Sequence, residues 1–297
     1  MSLQLDLFLD SRSVVLANEA AGAIAARDAA LAAQRVAELR SVAPDYPNLH
    51  FLETLARELA EWQQPPGDVA QIMSAIVRLE NVIVPAATQA VGAASKSILD
   101  PLFPDLAQAS RGLPYEPAHA KAHRARLSLC CGDWAAAEQA ALDIPRAREI
   151  PDALHWLTIA RYRQHGLAAA RPTLFALAWH EPQRFPSVLG ELGDELLDRD
   201  FRSFERACEW AEIEAPELPA WFPAWYVLEH PAVAIDLQEM DVMAAPPAKA
   251  ARLLARILEV ERQGDWKKLV ALREPLRLLS SDLFSLYMTR RVVRYSR

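Results

Sequence analysis

The stretch Ala120–Pro145, AKAHRARLSLCCGDWAAAEQAALDIP, reads as one helix, the turn Gly132-Asp133-Trp134, and a second helix whose small Ala137 and Ala141 let the pair approach closely. Laid over the sequence around Gly166, the same plan returns at an offset of 34 residues. Asp152–Pro182 has Tyr162 before the turn, Gly166 in it, Phe175 and Ala178 after it, and Pro182 beyond. A further 34 positions on, Arg199-Asp200-Phe201 is expected to form a charged-aromatic turn, with Phe204, Ala207 and Trp210 following at helical spacing. Gly264-Asp265-Trp266 repeats the Gly132 tripeptide 132 residues later, close to four units of 33. At the other end, Gly22–Pro44 fits the same template, with Ala25 and Ala32 at the packing positions and Pro44 closing the second helix.

The rest of the chain agrees with a helical reading. Only five of the 297 residues are threonine, no run alternates with period two, and the strong helix formers Ala, Leu, Glu and Arg dominate. Apolar residues recur at helical spacing in Val14–Arg40, Leu49–Trp62, Val69–Val84, Ala86–Leu99, Ala118–Leu142, Pro151–Trp179, Pro186–Glu212 and Ala248–Leu279. Prolines, among them Pro44, Pro101, Pro117, Pro151, Pro182 and Pro219, punctuate the gaps, because proline lacks an amide donor and clashes with the preceding turn. The expectation is an all-α fold. An apolar fraction of 52% in a chain of this length excludes disorder and supports a large buried core.

The 34-residue period, the small residues at the helix contact, the aromatic near the turn and the terminal proline resemble the tetratricopeptide repeat (TPR). The resemblance is good over Ser11–Pro47 and Ala118–Pro182, weaker over Pro186–Pro216 and partial over Ala248–Asp282, while residues 48–117 and 216–247 depart from the pattern. It implies α-α hairpins stacked as a right-handed solenoid, irregular in places, since isolated pairs cannot bury their apolar faces. Three regions follow: residues 1–116 with one TPR-like hairpin and irregular helices, 117–215 with TPR-like repeats, and 216–297 with an aromatic-rich connector and a C-terminal hairpin. The resemblance also implies a concave groove lined by the first helix of each unit. Counting back from Gly132 and Gly166 places His119, Arg126, Leu129 and Cys130, then Trp156, Arg163 and Gln164, on groove-facing positions. Arginines beside an exposed tryptophan hold a carboxylate or an acidic peptide by bidentate hydrogen bonds and stacking. A core role for Trp156 and a solvated role for the arginines are the competing readings.

Other features are weighed against bland alternatives. The carboxylates Glu191, Asp194, Glu195, Asp198 and Asp200 are spaced to share a helical face, either as a dock for a basic segment or cation or as a solvated outer face. His119 and His123 stand four apart, yet no HExxH carboxylate accompanies them, so no metal is expected. Cys130, Cys131 and Cys208 form an odd set without a CxxC pair and read as reduced thiols. Trp221, Phe222, Trp225 and Tyr226 sit between prolines, as a core plug joining helical layers or as the wall of a ligand pocket. The end of the chain gathers Arg290, Arg291, Arg294 and Arg297, as helix-terminal cations or as an arm for nucleic acid or an acidic partner.

No nucleophile-base pair, phosphate-binding glycine loop or dinucleotide fingerprint occurs, so no cofactor is expected. The formal net charge of −7 makes nucleic acid an unfavourable partner. Asn81–Leu99, the most lipid-like stretch, reads as too polar to span, and no secretory leader is recognised, giving a cytoplasmic expectation. The functional expectation is a non-catalytic scaffold binding a protein or peptide in its groove. The alternative is an all-helical enzyme or small-molecule binder with a pocket beside Trp221–Tyr226.

Overall fold

The structure is a computed structural model that describes residues 3–62, 66–208, 216–234 and 244–295, and, among these, side chains from residue 12 to residue 291. Every regular element among the described residues is helical, in agreement with the all-α expectation. The fold divides into two compact units, Met1–Ala137 and Glu138–Arg297.

The first unit opens with the hairpin α1 (Leu3–Ala25) and α2 (Ala29–Val42), on which α3 (Leu49–Glu61) packs. The apolar pattern Val14–Arg40 thus spans two helices and the turn between them. Arg27 takes a left-handed backbone, φ 61°, and the Asp28 carboxylate accepts the Leu31 N–H at 2.9 Å, starting α2. Buried Ala20, Ala32 and Leu39 form the seam, where alanine lets the helix backbones come close.

From α4 (Val69–Arg78) the chain runs through a π turn at Leu79–Ile83 into α5 (Val84–Val91). Pro85 explains the turn. It has no N–H and its ring crowds the preceding carbonyls, so the helix widens and the Val84 N–H reaches back five residues to the Leu79 carbonyl. At Gly92, φ 55°, α5 ends, and α6 (Ser95–Leu99) and α7 (Leu102–Ala109) follow. By length and composition alone Val69–Leu99, which contains the stretch Asn81–Leu99 expected to be too polar to span, is apolar enough to cross a membrane, an 18-residue window in it having a mean hydropathy of 1.3. Within this unit Ile72, Ile76, Leu79, Ile83 and Ala87 of that run lie in the core. The helix α8 (Arg124–Cys130) packs on α7, and α9 (Trp134–Leu142) carries the division between the units within it.

The second unit contains the hairpin α10 (Pro151–His165) and α11 (Leu167–His180), then α12 (Phe185–Leu192), α13 (Glu195–Ala207), α14 (Phe222–Glu229), and the C-terminal α15 (Pro246–Gln263), α16 (Trp266–Leu279) and α17 (Ser281–Tyr295). Ala153 and Ala160 of α10 and Ala170 and Ala178 of α11 are completely buried, and where the two helices meet the Thr158 hydroxyl donates to that of Thr173 at 3.0 Å. Phe222 centres an aromatic plug, its ring centroid 5.4 Å from Phe185, 5.3 Å from Phe201, 5.6 Å from Phe204 and 5.5 Å from Tyr226. Rings at such separations and tilts bury large apolar area and set the packing of α12, α13 and α14.

One turn recurs in both units. Gly132 (φ 71°), Gly193 (φ 66°) and Gly264 (φ 77°) adopt a left-handed backbone, and each is followed by an aspartate that caps the next helix. Asp133 accepts the Ala136 N–H, Asp194 the N–H groups of Leu196 and Leu197, and Asp265 that of Lys268. Gly166 (φ 79°) turns the α10–α11 hairpin without such a cap. The expected turn at Arg199-Asp200-Phe201 is corrected: those residues lie inside α13, and the turn is Gly193-Asp194. The side chain of Phe201 is buried at its centre, which a turn position would leave in solvent.

Two substitutions test this account. A Cβ at Gly193 meets no atom within 4 Å, so Gly193→Ala carries only the cost of the left-handed backbone and lowers unfolding free energy by about 1 kcal/mol in urea titration. Ala160→Leu forces a larger side chain into a completely buried position of α10 and costs about 1–3 kcal/mol in the same measurement.

Candidate functional site

The densest arrangement of polar side chains in the second unit lies along α10. Much of this helix is buried, Leu154, Leu157 and Ile159 included, and Thr158 faces the partner α11, its hydroxyl donating to that of Thr173 at 3.0 Å. At helical spacing on another stripe stand Asp152, His155, Tyr162 and Arg163, and these reach the 3-10 segment before α12, α12 itself and the turn that follows it. Arg184 donates to Asp152 at 2.6 Å, and His155 Nε2 lies 2.6 Å from Glu191 Oε2. Arg163 donates to the Glu191 backbone carbonyl at 3.0 Å, and the Tyr162 hydroxyl to Asp194 at 3.1 Å. On the side toward α9, Glu138 accepts from Arg161 at 2.7 Å and from Gln164 at 3.0 Å.

Electrostatics follow from these contacts. The hydrogen bond from His155, aided by Arg163 and Arg184, holds the Glu191 carboxyl below its ordinary value despite partial desolvation. Burial and the Asp194 carboxylate push the Tyr162 phenol up, and burial with neighbouring carboxylates does the same for Tyr226. Burial likewise raises the thiols of Cys131 and Cys208 to about 11, so neither is a ready nucleophile near neutral pH.

The residues expected to line a groove have distinct places. Trp156 is 2% exposed, so its indole serves packing and offers no surface to a partner. Arg163 is exposed, with its guanidinium 5.7 Å from the Tyr162 ring, while Gln164 is committed to Glu138. In the first unit, His119 is exposed on a short 3-10 segment (Pro117–Ala122), and Arg126 donates to Glu80 at 2.9 Å. Glu80, on the π turn, also accepts from Lys121 at 2.9 Å, and that bond leads in holding its carboxyl below the usual range. Leu129 is half-buried and Cys130 exposed.

Several other expectations are revised. His119 and His123 do not share a helix: His119 has φ −124°, and His123 caps α8, its Nδ1 accepting the Ala125 N–H at 3.2 Å. The acidic run does not form one face. Glu191 lies on α12, Asp194 caps α13, Asp198 pairs with Arg202, and Asp200 lies 2.8 Å from His230. Phe222, Trp225 and Tyr226 are buried, so these rings are spent on the core. Of the C-terminal arginines, Arg290 donates to Glu229 at 2.8 Å, and Arg291 pairs with Glu261 at 3.0 Å and covers Trp266 at 5.1 Å; the side chains of Arg294 and Arg297 lie outside the described residues.

An apolar cavity in the first unit is walled by Ile24, Leu55, Leu59, Trp62, Ile83 and Ile98, with Arg27 and Glu58 at its rim. Its volume of about 20 Å³ admits a water molecule and no organic ligand. Neither it nor the α10 ladder places a nucleophile beside a free base.

No known protein family, curated protein or solved structure matches the chain.

The contacts missed by sequence reasoning are those of Glu80, Glu138, Arg184 and Asp194. Only Asp194 left a usable signal, because Gly193-Asp194 repeats the dipeptide of Gly132-Asp133 and Gly264-Asp265. The others join residues 23–46 positions apart, which sequence spacing does not reveal.

The ladder predicts a measurable dependence on acid. Because the folded chain holds Glu191 below its ordinary 4.5, the proton binds more tightly when the chain is unfolded. The contact therefore adds stability above that value and loses it as pH falls through the depressed folded value. Wild type should exceed Glu191→Gln in stability near neutrality, with the gap narrowing between about pH 5 and about pH 3 in denaturant titrations. Tyr162→Phe removes one hydrogen bond to Asp194 and lowers unfolding free energy by about 1 kcal/mol.

Proposed function

We propose that this chain is a non-catalytic helical-repeat scaffold, an irregular TPR-like right-handed solenoid that holds a partner protein or peptide against the first helices of its hairpins. The observation that carries the reading is the ladder from α10 to α12. It ties the first helix of one hairpin to the first helix of the next through Asp152–Arg184, His155–Glu191 and Tyr162–Asp194. Such first-to-first packing is how a stack of hairpins covers the apolar faces that each pair leaves open. Support also comes from the buried alanines of the α1–α2 hairpin and from the recurring Gly-Asp turn.

Within this reading Arg163 is the contact residue of choice. It is exposed, ordered by the Glu191 carbonyl and flanked by the Tyr162 ring, an arrangement suited to a carboxylate on an acidic peptide. Trp156 is a support beneath that surface.

Two measurements test the proposal. Small-angle scattering of a solenoid gives a radius of gyration well above the roughly 19 Å of a compact 297-residue domain; a value at that compact limit counts against stacking. Affinity capture with quantitative mass spectrometry compares wild type with Arg163→Glu. Loss of at least one specific protein by about tenfold supports the assignment, corresponding to about 1.4 kcal/mol of binding. An unchanged set of captured proteins, with the variant folded by circular dichroism, overturns it.

A further inference from the structure

We draw no further inference here: the strongest candidate, the exposed and uncharged stripe Ala70, Ser74, Val77, Asn81, Pro85 and Thr88 running along α4, the π turn and α5, carries nothing because nothing in the structure shows what covers it.

Discussion

A left-handed residue followed by a capping aspartate is the constraint from which much of the remaining structure follows. Reversal of a helix within about two residues requires one residue at positive φ, and the new helix begins with unpaired N–H groups that need an acceptor. Glycine meets the first requirement at Gly132, Gly193 and Gly264, and aspartate the second at Asp133, Asp194 and Asp265. What fills the contact beyond the turn varies: alanine in the α1–α2 hairpin, but Val188, Leu189, Leu192, Leu197 and Phe201 beside the Gly193 turn. Arg27 shows the same device under strain: an arginine occupies the left-handed position, and its guanidinium is tied to Asp105 at 2.5 Å.

Close pairing of helices leaves the outer faces of each hairpin to be covered. In the second unit two kinds of contact do this. The aromatic plug around Phe222 covers the apolar surface of α12, α13 and α14, while the polar ladder along α10 sets how α12 lies beside it. The division of labour is physical. Apolar rings supply non-directional burial, whereas hydrogen-bonded pairs are directional and fix the register of one helix along another. Side chains that look free in the sequence, such as Glu138, Glu191 and Asp200, are thereby used within the fold.

That use bears on function. Arg126, Gln164, Arg290 and Arg291 are all charged or polar residues of the kind that recognise partners, yet each has an intramolecular carboxylate. The more exposed of these pairs, Arg290–Glu229, contributes only about 0–1 kcal/mol, whereas Arg291 is held by a buried Glu261 carboxylate. Arg163 differs because its hydrogen-bond acceptor is a backbone carbonyl, although its charge is also felt by the Glu191 carboxylate.

The all-helical character, most helix positions and the Gly132, Gly166 and Gly264 turns were legible in the sequence, because propensity, periodicity and glycine at a left-handed position act over a few residues. Counting a fixed 34-residue period failed at Arg199–Phe201, since loops between helices vary in length and the turn follows the glycine at Gly193 instead. Tertiary structure alone decided which side chains are spent and which are offered. Trp156 is hidden because it is buried in the tertiary packing around α10, and the run Glu191–Asp200 is dispersed because a turn at Gly193 breaks its helix in two. Burial and charge pairing depend on what other segments bring alongside a residue, and that information is held in contacts between residues far apart in the chain.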